Sequence, residues 1–117
     1  MSTRSDVERG RIALLETLRN AEKTWEVLAP RYGVTNPNPP WKTSLTAMCD
    51  CLAATGVLPA LDRRRAEDEL ANSVYSDVPS HERQLLALVH IMLNRGLVSE
   101  ADLARRMHAV RSRLESA

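Results

Sequence analysis

The stretch Leu45–Arg65, LTAMCDCLAATGVLPALDRRR, returns 40 residues later as Leu85–Arg105, LLALVHIMLNRGLVSEADLAR. Leu45 aligns with Leu85, Gly56 with Gly96, Val57 with Leu97 and Asp62 with Asp102. Each copy reads as a helix, a glycine stop, a short apolar link and a second helix. Glycine serves there because the residue closing a helix commonly takes a left-handed conformation. Two such hairpins are too few for a solenoid. No apolar–polar alternation of strand type runs through either copy. The expected fold is therefore all-α: about five helices, as two helix-turn-helix hairpins behind a long N-terminal helix, in a single domain spanning 1–117.

Working outward, residues 1–30 supply the N-terminal helix. Its periodic part runs from about 5 to 29, with Ser5 or Asp6 as cap and Ile12, Leu15, Leu18, Trp25 and Leu28 at helical spacing. Pro30 is expected to end it. The Pro- and Asn-rich segment 31–40 reads as an extended connector, since proline lacks a donor and biases its predecessor away from helix. In the hairpin region 41–117, Trp41 opens a helix behind Pro39 and Pro40, with Leu45, Met48, Cys49 and Leu52 inward. Another spans Ala60–Asn72, with Leu61, Ala66 and Leu70 inward. SVYSDVPS is a loop. A further helix starts after Ser80 and carries Leu85, Leu86, Leu88, Val89 and Met92. Ser99, with Asp102 three residues on, caps the last, which ends near Leu114.

Charge excludes some classes of function. The 16 basic and 15 acidic residues give a net charge of +1, far from the strongly basic footprint of a dedicated nucleic-acid binder. No apolar run is long enough to span a bilayer, so no membrane partner is expected. MSTRSDVERGRIALL holds no apolar core before a small-residue cleavage site, which predicts no signal peptide and a cytoplasmic chain with reduced cysteines.

Chemistry-bearing residues are sparse. Cys49 and Cys51 sit about 200° apart on one helix, which does not suit a shared metal. His81, His90 and His108 show no ligand spacing, and His90 reads as a histidine at the edge of the core. No nucleophile, zinc-protease or phosphate-loop motif is present. The final hairpin has a helix-turn-helix look, with Arg105, Arg106, Arg111 and Arg113 on its second helix. Arg113 lies in the last turn, where the macrodipole favours cations anyway, the overall charge is wrong for such a domain, and no nucleic-acid partner is expected. Arg63, Arg64 and Arg65 are different. They crowd the start of a helix, the end where the dipole favours cations least. Local pairs with Asp62, Glu67, Asp68 and Glu69 are the default for such a run. Three adjacent arginines nevertheless point in three directions, which leaves at least one for a partner.

From Trp41 onward the chain resembles the N-terminal helical part of the β subunits of nitrile hydratases and thiocyanate hydrolase. CLAATGV followed by RRR, then VYSDVPSHER with its Tyr-x-x-x-Pro-x-x-Glu-Arg pattern, then IMLNRGLVSEADL, carry the resemblance in order over about two-thirds of the chain. It implies that this chain binds no metal and no cofactor itself. A partner α subunit with a C-x-x-C-S-C loop would hold Co(III) or Fe(III), with two of its cysteines oxidised. By position relative to Gly56, Arg64 matches the family arginine that hydrogen-bonds those cysteine oxygens. Tyr75 matches a tyrosine near the active-site entrance, and Leu58 an apolar wall of the substrate channel. Ser80 and His81 fall where relatives often carry aromatic residues, implying a roomier or more polar channel.

In the family the β subunit continues into an SH3-like barrel. Its absence here implies a separate barrel-type β chain, as in three-subunit enzymes. The resemblance thus implies the small β-type subunit of a nitrile hydratase, a lyase that hydrates a nitrile to an amide at a subunit interface. The toyocamycin type, from nucleoside antibiotic biosynthesis, is the expected version. Nitrile hydratase activator proteins, small maturation partners that resemble the same region, are the alternative. They usually carry an aromatic-rich motif in the last hairpin, which LNRGLVSEADLARRM lacks. A small helix-turn-helix DNA-binding protein is the second alternative.

Overall fold

The computed structural model describes residues 10–19 and 24–116. It is helical, and no strand occurs among the described residues. The helices are α1 (Ala13–Leu18), α2 (Trp25–Arg31), α3 (Lys42–Ala54), α4 (Ala60–Ala71), α5 (Ser80–Asn94) and α6 (Glu100–Glu115).

The repeat survives in three dimensions. α3 and α4 are joined through the Gly56 turn, and α5 and α6 through the Gly96 turn. Helix ends and starts coincide under the 40-residue shift: Ala54 with Asn94, Ala60 with Glu100. Gly56 and Gly96 close the first helix of each pair at φ 75° and 73°. At Gly96 the Schellman bonds are complete, with the glycine N–H donating to Leu93 O at 3.2 Å and Leu97 N–H to Met92 O at 2.9 Å. The Ser99 hydroxyl oxygen accepts from Asp102 N–H at 3.0 Å, as its cap position requires.

The N-terminal region departs from the expected single helix. Its described residues form two short helices instead; positions 5–9 and 20–23 of that expectation lie outside the described residues. Ile12 is extended, and Arg19 leaves the helical region at ψ 66°. Thr24 is extended again as the cap of α2. Long-range bonds explain the break. Arg19 donates through Nη2 to Val74 O at 2.7 Å and pairs with Asp77 at 2.5 Å. The Glu82 carboxylate accepts from Trp25 N–H at 3.1 Å, placing an acid on the first turn of α2. These tertiary contacts outweigh the helical preference of the segment. Pro30 does not end α2 but lies within it. The stop comes at Gly33, with its N–H on Pro30 O and Val34 N–H on Ala29 O at 2.9 Å.

Ile12, Leu15, Leu45, Cys49, Leu58, Ala66, Leu70, Tyr75, Leu86, Leu88 and Ile91 form one buried core. Helix α4 packs on α5 through Ala66 and Leu70. Two expected inward residues face solvent instead: Met48 is 47% exposed and Leu61 58%. Each lies near the edge of its helix's apolar arc, and the core is filled by Leu45, Cys49, Ala66 and Leu70.

Candidate functional site

Helix α4 sorts the three arginines. Ala66 and Leu70 point into the core, so at 100° per residue Arg64 projects about 160° from Ala66, almost straight outward. Arg64 and Arg65 are exposed, and neither makes a hydrogen bond or ion pair with the described residues. Leu61 and Asp68 share the outward side. Arg63 turns the other way. Its side chain is 15% exposed and pairs with Glu67 at 2.8 Å. Burial works against its charge, but the Glu67 hydrogen bond and carboxylate outweigh burial and hold the guanidinium above its usual range. The run therefore splits into one structural arginine and two that present donor forks to solvent. An outward Arg can offer two parallel N–H donors to an oxyanion, which is its chemical advantage over Lys.

The other anticipated site residues fall in two places. Leu58 is fully buried beside the Gly56 turn, its N–H donating to Leu52 O at 3.0 Å. Tyr75 is buried too. Its N–H donates to Leu70 O at 2.8 Å, so the end of α4 sets its position. The Tyr75 hydroxyl and His90 Nδ1 are hydrogen-bonded at 2.8 Å, with the two rings edge-on. The Arg19 guanidinium lies 5.4 Å from the Tyr75 ring centroid. Burial pushes the Tyr75 phenol far above its ordinary range, so it stays a neutral hydroxyl. Ser80 and His81 instead line an open groove of about 370 Å³ together with Trp25, Asn36 and Pro37. The structure brings Ser80 and His81 together on one surface, whereas Leu58 and Tyr75 are buried in the core and do not line that groove.

The cysteines part as their spacing implies: Cys49 is buried and Cys51 exposed, both free thiols. Among the described residues no three His, Cys, Asp or Glu side chains converge to hold a metal. Burial pushes the Cys49 thiol up, only partly offset by the Arg63 charge beside it. Pulsed alkylation read by mass spectrometry is expected to modify Cys51 quickly and Cys49 far more slowly. The folded thiol titrates above the unfolded one. The Cys49 contribution to stability is therefore whole below the ordinary thiol range and is lost as pH rises from there through the raised folded-state value. Equal labelling rates at neutral pH would contradict this placement.

Sequence reasoning did not anticipate the clamp of Arg19 on Tyr75, Val74 and Asp77. Its partners lie 55 or more residues away, and no local pattern signals it. Nor did it anticipate that His90, read as a core-edge residue, is fully buried and bonded to Tyr75. The apolar run LALVHIML around His90 is the signal that pointed to burial.

Comparison with known proteins bears on this geometry. The family model described as the nitrile hydratase beta subunit, N-terminal, matches residues 13–117. The thiocyanate hydrolase subunit beta of Thiobacillus thioparus is 31% identical over 77 residues, covering 65% of this chain and 49% of the relative. The chain thus spans about half the length of that relative. No solved structure matches it. No helix among the described residues is long and apolar enough to cross a membrane.

Proposed function

This chain belongs to the N-terminal family of nitrile hydratase β subunits, and from that premise we propose that it is a β-type subunit of a multi-subunit hydratase. It holds no metal of its own. The metal would belong to an α-type partner and would supply Lewis acidity toward a nitrile there. The part of this chain is to dock its α4 face there and to donate hydrogen bonds from Arg64 to the oxidised cysteine oxygens of the partner. Such donors fix the orientation and basicity of metal ligands. The single observation that carries the reading is the position of Arg64: outward on α4, exposed, and uncommitted to any described residue. An arginine serving fold stability would look like Arg63, half-buried on a carboxylate of its own helix.

A separate barrel-type chain and the toyocamycin type of enzyme belong to the same proposal. Ser80 and His81 would contribute the polar wall of the substrate channel from their groove. Tyr75 would act indirectly, by setting the loop that leads into that wall, and Leu58 by fixing the turn before α4. Thiocyanate is the competing substrate, on the strength of the Thiobacillus relative.

Affinity purification of the tagged chain from its own host, with mass spectrometry and metal analysis, tests this reading. The expected result is stoichiometric recovery of a C-x-x-C-S-C subunit, a barrel-type chain and cobalt or iron. Hydration assays on that material with a nitrile and with thiocyanate then separate the two substrates. Recovery of the chain alone, or with a metal-free α-type chain that later leaves, would overturn the subunit role in favour of a maturation partner.

A further inference from the structure

Under the internal repeat, Leu70 of α4 corresponds to Val110 of α6, and Ala66 to Arg106. The two helices are not treated alike. Leu70 and Ala66 are fully buried beneath α5, whereas Val110 is 44% exposed and α6 has no buried residue along its length. Helix α6 nevertheless keeps an apolar seam. Leu103, Met107, Val110 and Leu114 are spaced 4, 3, 4, and at 100° per residue they fall within about 60° of one another. That is the spacing of a helix-pairing seam. Leu103 packs on the core and Leu114 is 69% exposed, so the seam leaves the domain as it runs. Arg106 and Arg111 flank it on opposite edges and, with Glu115 beyond Arg111, line the shallow surface around Val110 and Leu114. Neither makes an ion pair with the described residues, whereas Arg105 is held by Asp102 at 2.5 Å.

We propose that the Met107–Val110–Leu114 seam of α6 is a docking site for an amphipathic helix of a protein partner, with carboxylates flanking its apolar stripe. Helix α5 on α4 shows, within this molecule, what covers the matching face of the first hairpin. The two arginine edges select the charge of the incoming helix, because a basic or self-identical helix would bring like charges together across the seam. This seam lies on a different helix from Arg64, and its occupancy does not depend on which substrate the complex uses.

The test uses the full chain and two synthetic amphipathic helices of about 20 residues, long enough to hold helical structure alone. Both carry the same leucine seam, flanked by Glu in one and by Lys in the other. By fluorescence anisotropy the Glu-flanked peptide is expected to bind about tenfold more tightly, with added salt narrowing the gap. Arg106→Glu with Arg111→Glu should reverse the preference. Val110→Asp with Leu114→Asp should abolish binding. All four positions are exposed or at a helix surface, and circular dichroism confirms that the variants fold. Equal affinity for the two peptides, or binding of neither, overturns the proposal. So does self-association of the chain that is lost in Leu114→Asp, which would make a second copy the occupant. Binding of random duplex DNA at physiological salt, abolished by the arginine reversals while neither peptide binds, would overturn it as well.

Discussion

Arg64→Lys is expected to lower turnover of the assembled complex by about 10- to 100-fold while leaving assembly intact, the range seen when groups supporting metal ligands are altered. The change keeps the positive charge and most of the stem, so long-range attraction between chains is preserved. It removes the planar fork. A lysine ammonium is a compact, strongly hydrated point charge and cannot give two parallel N–H bonds to paired sulfur oxygens. Arg64 is exposed and makes no intramolecular bond with the described residues, so the isolated chain should unfold at the same temperature as the wild type. Arg65→Lys is the internal control: also exposed, one position round the helix, and expected to cost little. The measurement is kcat with complex stoichiometry, by hydration assay and native mass spectrometry. Full activity in Arg64→Lys would remove Arg64 from the site. A fall in assembly equal to the fall in turnover would make it a docking residue instead.

The contrast between Arg63 and Arg64 also shows how far sequence carried. Three adjacent arginines had to point three ways, because 100° per residue is a property of any helix. Which one paired with Glu67 depended on where Ala66 and Leu70 faced, and those were legible as the inward positions of α4. The hairpins were legible for a related reason. A glycine with positive φ, an apolar link and a new helix start are local chemistry, and the chain states them twice, at Gly56 and Gly96. The N-terminal segment was misread because its pattern is a real helical pattern, interrupted by groups far away in sequence. Arg19 reaches Val74 and Asp77, and Glu82 reaches Trp25. Such pairs leave no periodic trace. Met48 and Leu61 misled for a third reason. Binary patterning treats every apolar residue as a candidate for the core, whereas much of a folded surface is apolar.

Tyr75→Ala is expected to destabilise the chain by about 3–5 kcal/mol, the range for emptying a buried aromatic site. Tyr75 is fully enclosed, shares the core with Leu70 and Ile91, and is the largest of the completely buried side chains. A domain of this size has about 5–15 kcal/mol in total, so the variant would sit near the edge of folding. Tyr75→Phe separates volume from hydrogen bonding. It keeps the ring under Arg19 but leaves buried His90 Nδ1 without the hydroxyl 2.8 Å away, an expected loss of about 1–3 kcal/mol. Urea denaturation followed by circular dichroism measures both. The family position of Tyr75 suggests a different outcome: were its hydroxyl needed at the channel and idle in the core, Tyr75→Phe would lower kcat without moving the denaturation midpoint. The hydrogen bond to His90 inside the core argues for the reverse. Loss of activity in Tyr75→Phe should therefore track the loss of folded chain and recover when assays are run at lower temperature within the complex, where partner binding offsets the instability by mass action.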